Sequence, residues 1–135
     1  MNGSDILPRA FQALSDPMRL RMFRLLAVNR TEMCVCEFED SLKERQYNVS
    51  RHLKLLGIAG LLHKEKEGRR AYYGLEADNP TVSAFSRLVV SLPDPDGTFA
   101  KDQERFEEQT PFRQGGDRCR LCDTRRKKRN AVPVR

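Results

Sequence analysis

The feature that most constrains this chain is a switch of apolar period at Gly60. Before it, Val49, Leu53 and Leu56 in "QYNVSRHLKLLGI" recur at offsets of four and seven, which puts them on one face of a helix over residues 46 to 58. After it, "LLHKEK" and "RAYYGL" alternate with a period of two. The intervening "EGR", with Gly68 at its tip, has the chemistry of a hairpin turn. Upstream, a shorter helix is expected from Cys34 to Lys43 with Phe38 and Leu42 inward, and only "ERQ" separates it from the next helix.

The flanks complete the pattern. Leu7, Phe11 and Leu14 share one helical face, and "SDP" then stops that helix and starts another, with Ser15 or Asp16 as cap and Pro17 in the first turn. Met18, Met22, Leu25 and Leu26 carry the second helix to about Asn29. A last helix is capped by Asn79, followed by Pro80, and carries Val82, Phe85, Leu88, Val89 and Leu92 inward. Four helices, a basic hairpin and a final helix make a mainly α fold with a β-hairpin wing, a winged helix-turn-helix. Residues 1–92 are expected to fold as this domain. From Pro93 the apolar period stops, and residues 93–135 read as a polar, basic tail. An apolar fraction of 39% over 135 residues allows only a modest core, so the domain gains from burying a stripe against a partner.

The net charge of +6 suits a polyanion. A helix in the major groove needs short polar and cationic side chains on its outer face and apolar ones behind. Gln46, Asn48 and Arg51 are expected at base edges, Ser50 or His52 at bases or phosphates, and Lys54 at the backbone. Tyr47 either stacks or packs against a thymine methyl, or is buried. At the hairpin tip Lys64, Lys66, Arg69 and Arg70 are placed for phosphates or a neighbouring minor groove, with Glu65 and Glu67 interleaved.

Four cysteines fall into two pairs, Cys34 with Cys36 and Cys119 with Cys122. No apolar run approaches the roughly 20 residues that span a bilayer, and "MNGSDILPRAF" lacks the apolar core of a secretory signal, so a cytoplasmic protein is expected. In that compartment paired thiols indicate metal or redox chemistry rather than a disulfide framework. Cys34-Val35-Cys36-Glu37 has the spacing of a capping box, with Cys34 as the cap and Glu37 reaching back. Residues two apart on a regular helix point about 200° from each other, so both sulfurs reach one ion only if the first turn distorts. The helix N-terminus favours the thiolates that a soft metal or metalloid takes. The pair is thus a candidate trigger in the helix packed on the DNA-reading helix. "CRLC" has the spacing of a second metal clip; it either completes the first site or is a tail pair that oxidises or binds zinc incidentally. No βαβ pattern surrounds it, so a thiol oxidoreductase is not expected, and the chain reads as no enzyme.

Four blocks, "ALSDPMRLRMFRLL", "MCVCEF", "VSRHLKLLGIAGLL" and "KEGRRAYYGL", resemble in order and spacing the ArsR/SmtB family of metal-sensing transcriptional repressors over residues 10 to about 92. The resemblance implies a homodimer built on the first and last helices that binds palindromic, double-stranded operator DNA and releases it when an inducer binds. "CVCE" is similar to the cysteine motif of arsenite and antimonite sensors and of related cadmium and lead sensors. One type of arsenite sensor has a third Cys where this chain has Glu39. Cys119 and Cys122 are the candidates to complete the site: three sulfurs suit arsenite or antimonite, four suit cadmium or zinc, and lead uses either number. A thiol redox switch is the other reading of the same residues. The family's zinc site on the last helix is not expected, because the histidines, His52 and His63, lie elsewhere. His63 is expected as a strand residue, His52 on the DNA face or packed, and neither as a metal ligand. No organic cofactor and no membrane contact are expected. The run Arg125 to Arg129 reads as solvated tail.

Overall fold

The computed structural model describes residues 3–109. In chain order they form α1 (Gly3–Leu14), α2 (Pro17–Asn29), β1 (Met33–Cys34), α3 (Val35–Leu42), α4 (Gln46–Ile58), β2 (Leu62–Glu67), β3 (Arg70–Leu75), α5 (Pro80–Val90) and α6 (Thr98–Glu108). Helix ends follow their caps. Asp16 accepts the Arg19 N–H at 3.0 Å ahead of Pro17, and Asn79 accepts the Thr81 N–H at 2.9 Å ahead of Pro80. Lys43 ends α3 in the left-handed region at φ 53°, and Arg45 restarts the chain in extended backbone. The helix expected from Cys34 to Lys43 therefore runs one residue shorter at each end, with those two residues as its caps.

The sheet has the order β1-β3-β2, all antiparallel. β2 and β3 pair from Leu62↔Leu75 to Glu67↔Arg70, and Gly68 makes the turn at φ +65°, a conformation that costs glycine nothing. β1 has no sequence signature: two residues pair as Met33↔Tyr73 and Cys34↔Tyr72, tying the entrance of α3 to the wing.

Phe23, Phe38, Leu25, Leu26, Leu53 and Val82 sit at the centre of one continuous core. Leu88, expected inward on α5, is instead 49% exposed; Leu7 and Phe11 of α1 are 50% and 60% exposed. The Phe11 ring meets Phe85 edge-on at 4.8 Å, so these side chains form a partly covered apolar strip across α1 and α5.

The packed unit extends beyond the boundary expected at Pro93. Asp94 accepts the N–H groups of Phe99 and Ala100, both at 3.0 Å, which starts α6. Phe106 then joins the core, and Asp102, 1% exposed, binds Arg21 of α2 through two bonds of 2.7 and 2.8 Å. Arg105 donates to Asp102 at 3.0 Å and to the Ser41 carbonyl at 2.7 Å. The Gln109 amide donates to the Glu37 carbonyl at 3.1 Å and to Ser41 Oγ at 3.0 Å. Polar groups hold this helix, which is why an apolar period does not reveal it. Among the described residues no helix is long and apolar enough to cross a membrane.

Candidate nucleic-acid interface and thiol centre

On α4, Val49, Leu53 and Leu56 are buried, so the turn geometry leaves Gln46, Tyr47, Ser50, Arg51 and Lys54 exposed on the outer side. Tyr47 is 78% exposed, which resolves its alternatives in favour of the surface. Asn48 is half-buried and its amide donates to Glu44 Oε1 at 3.1 Å. Of the two places expected of His52, the DNA face or a packed position, it takes the packed one. It is 8% exposed, with Nδ1 3.3 Å from the Arg19 guanidinium and 4.0 Å from Asp16. Burial pushes its pKa below the ordinary 6.5, against the pull of Asp16 and with the help of Arg19 and Arg51. A neutral imidazole there joins α4 to the start of α2.

In the wing Lys64, Lys66 and Arg69 are exposed and Arg70 is half-buried. Strand alternation puts Lys64 and Lys66 on one face, where Lys64 Nζ lies 5.9 Å from the centre of the Tyr73 ring. His63 and Glu65 project from the other face.

Cys34 has two positions at once. It is the last residue of β1 and the N-cap of α3, in extended backbone at φ −90° and ψ 167°. Glu37, 1% exposed, closes the capping box by accepting the Cys34 N–H at 3.0 Å. Cys34 is buried against Tyr72 of β3, and Cys36, half-buried, packs on the same pair. Glu39 is half-buried in the same helix. Cys119 and Cys122 lie outside the described residues, as does the Arg125 to Arg129 run.

The structure also assembles a group that sequence reasoning left apart. Glu32, just before β1, and His63 and Glu65 of β2 bring one ligand-type atom each within 4.8 Å of one another. The alternation of His63 and Glu65 placed two of them on one strand face; the third depends on β1, which has no such signal.

Residues 16–64 match the model of the bacterial regulatory protein arsR family. An uncharacterized HTH-type transcriptional regulator of Methanocaldococcus jannaschii is 43% identical over 82 residues, 61% of this chain and 89% of the relative. The arsenical resistance operon repressor of Escherichia coli is 38% identical over 105 residues, 77% of this chain and 82% of the repressor. The chain belongs to the arsR family. Its fold has a solved counterpart in the homodimeric winged helix-turn-helix DNA-binding domain of a possible ArsR-family regulator of Mycobacterium bovis. That domain has a TM-score of 0.55 and 28% identity, covering 63% of this chain and 75% of the other. This arsR-family chain is accordingly a DNA-binding transcriptional regulator of winged-helix architecture, and the family is not one of enzymes.

Proposed function

We propose that this chain is a homodimeric repressor that holds operator DNA with α4 and the wing and releases it when a soft metal or metalloid binds its thiols. Gln46, Tyr47, Ser50, Arg51 and Lys54, with Asn48 at the edge, address the major groove; Lys64, Lys66, Arg69 and Arg70 address phosphates or the flanking minor groove. The apolar strip of Leu7, Phe11 and Leu88 supports a dimer across α1 and α5, the covering expected for a small core.

The observation that carries the reading is the double placement of Cys34. Its backbone pairs with Tyr72 in the wing and caps α3, which packs on α4. Drawing Cys34 and Cys36 toward one ion rearranges the link between the two DNA-facing elements. A coupling of about 1–3 kcal/mol suffices for regulation.

Two thiolates fit a soft ion, and Glu39 adds no sulfur. Gln109, from which residues 110–135 continue, is bonded to Glu37 and Ser41 on the thiol helix. The ten residues to Cys119 span up to about 35 Å when extended, which brings Cys119 and Cys122 within reach of Cys34 and Cys36. Arsenite or antimonite on three of these sulfurs is the first reading. Cadmium, lead or zinc on four is the second, favoured by that same departure point.

The test is binding of the reduced protein to an operator selected from a randomised duplex pool. It is titrated with arsenite, antimonite, cadmium, lead and zinc, for wild type and Cys119→Ser/Cys122→Ser. Release by arsenite or antimonite that the double variant loses supports the first reading, and release by divalent ions alone supports the second. Release by oxidant and not by metal would replace both with a redox switch.

A further inference from the structure

We propose a second, sulfur-free site for a divalent transition cation such as zinc at the base of the wing, formed by Glu32, His63 and Glu65. The three ligand atoms come from two segments, the loop before β1 and strand β2, brought together across β3. Gly74 of β3 lies opposite His63 and makes the approach possible: a Cβ there would stand 2.8 Å from His63 Cε1 and 2.9 Å from Glu32 Cγ. His63 Nε2 and Glu32 Oε2 are 3.5 Å apart, beyond ordinary hydrogen-bond length. Two donors bound at about 2.1 Å to one tetrahedral ion stand about 3.4 Å apart, so this spacing fits a shared ion. Behind the ring, His63 Nδ1 lies 3.7 Å from Glu76 Oε1. At that distance Glu76 is a charged neighbour of the ring rather than a hydrogen-bond partner, and Nε2 is left facing Glu32. The cluster borders a cavity of about 720 Å³, lined in part by Arg30, Ser83 and Arg87, through which an ion and its remaining water ligands have access.

One imidazole and two carboxylates hold a divalent ion without any sulfur, so the site stands apart from the Cys34 and Cys36 reading in its ligands. Occupancy would tie β2 to the loop before β1 and offset two carboxylate charges in the wing, one of them Glu65 between Lys64 and Lys66 in the chain. That favours the wing as a phosphate-binding element.

The full chain contains only two histidines, so imidazole resonances report on each ring separately. One equivalent of zinc added to the Cys34→Ser/Cys36→Ser/Cys119→Ser/Cys122→Ser variant, which leaves no thiol to compete, should shift the His63 ring nitrogens and leave those of buried His52 in place. Titration calorimetry on this thiol-free variant should give micromolar affinity. On the same background affinity should fall at least tenfold with His63→Gln and with Glu32→Gln. An unmoved His63 ring at saturating zinc, or Glu32→Gln and His63→Gln affinities within twofold of the thiol-free parent, would overturn the proposal. Loss of operator release by arsenite with this zinc binding intact would count against the thiol reading alone.

Discussion

Replacing Asp102 by alanine should detach α6 from the rest of the domain. The carboxylate is 1% exposed and accepts three charged hydrogen bonds, two from Arg21 at 2.7 and 2.8 Å and one from Arg105 at 3.0 Å. Breaking a buried ion pair by removing one partner costs about 3–5 kcal/mol. The arginine side chains are 19% and 24% exposed and partly rehydrate, which sets the loss near the lower end, at about 3 kcal/mol. Alanine returns roughly 0.5 kcal/mol of helix propensity, for a net loss of about 2.5 kcal/mol. At roughly 4–8 °C per kcal/mol for a domain of this size, Tm falls by roughly 10–20 °C if unfolding stays cooperative. Urea denaturation followed by circular dichroism measures the loss, and hydrogen exchange locates it in α6. The Arg21→Met/Asp102→Ala double variant should cost at least about 1 kcal/mol less than the two single losses combined, because they remove the same bond. A loss under about 0.5 kcal/mol with α6 amides still protected would refute the reasoning.

Gly74→Ala should cost about 1–2 kcal/mol by overpacking against His63 and Glu32 and should lower zinc affinity, checked by denaturation and calorimetry on one preparation. His52 has a folded pKa below its ordinary 6.5, so the unfolded chain binds its proton first and stability falls as pH drops below 6.5. His52→Gln should flatten that part of the stability profile, and an unchanged slope would remove His52 from the account. Tyr47→Ala and Arg51→Ala, both exposed, should each weaken operator binding by about 1–3 kcal/mol with Tm nearly unchanged. Lys66→Ala should reduce the salt dependence of binding by about one counterion, measured by anisotropy across a salt series.

What the sequence made legible was whatever rests on local chemistry. The apolar period of α4, the Asp16 and Asn79 caps and the Gly68 turn all emerged at or within a residue of their expected places. Cys34 and Glu37 were recognisable as a capping box for the same reason. Features depending on distant partners were not legible. β1 is two residues long, and its only evidence is Tyr72 and Tyr73 across the gap. α6 is held by Asp102, Arg105 and Gln109, residues that look solvated until Arg21 and Ser41 are placed beside them. His52 falls on the same helical face as Val49 and Leu56, so its burial follows from the α4 period, while its partners Arg19 and Asp16 could be placed only by the fold. The pairing of His63 with Glu32 needed β1 and the missing side chain of Gly74 together.

The pairing of residue 34 with residue 72 also closes a loop. Everything between, α3, α4 and most of the wing, lies inside that two-residue pairing. Closing a loop of that length carries an entropic cost on the order of a few kcal/mol, which the pairing offsets together with the bonds of α3 to Arg21, Arg105 and Gln109 and the common core. Loosening Cys34 alone should therefore raise hydrogen exchange first at Met33, Cys34 and Tyr72, while α3 stays protected by α6.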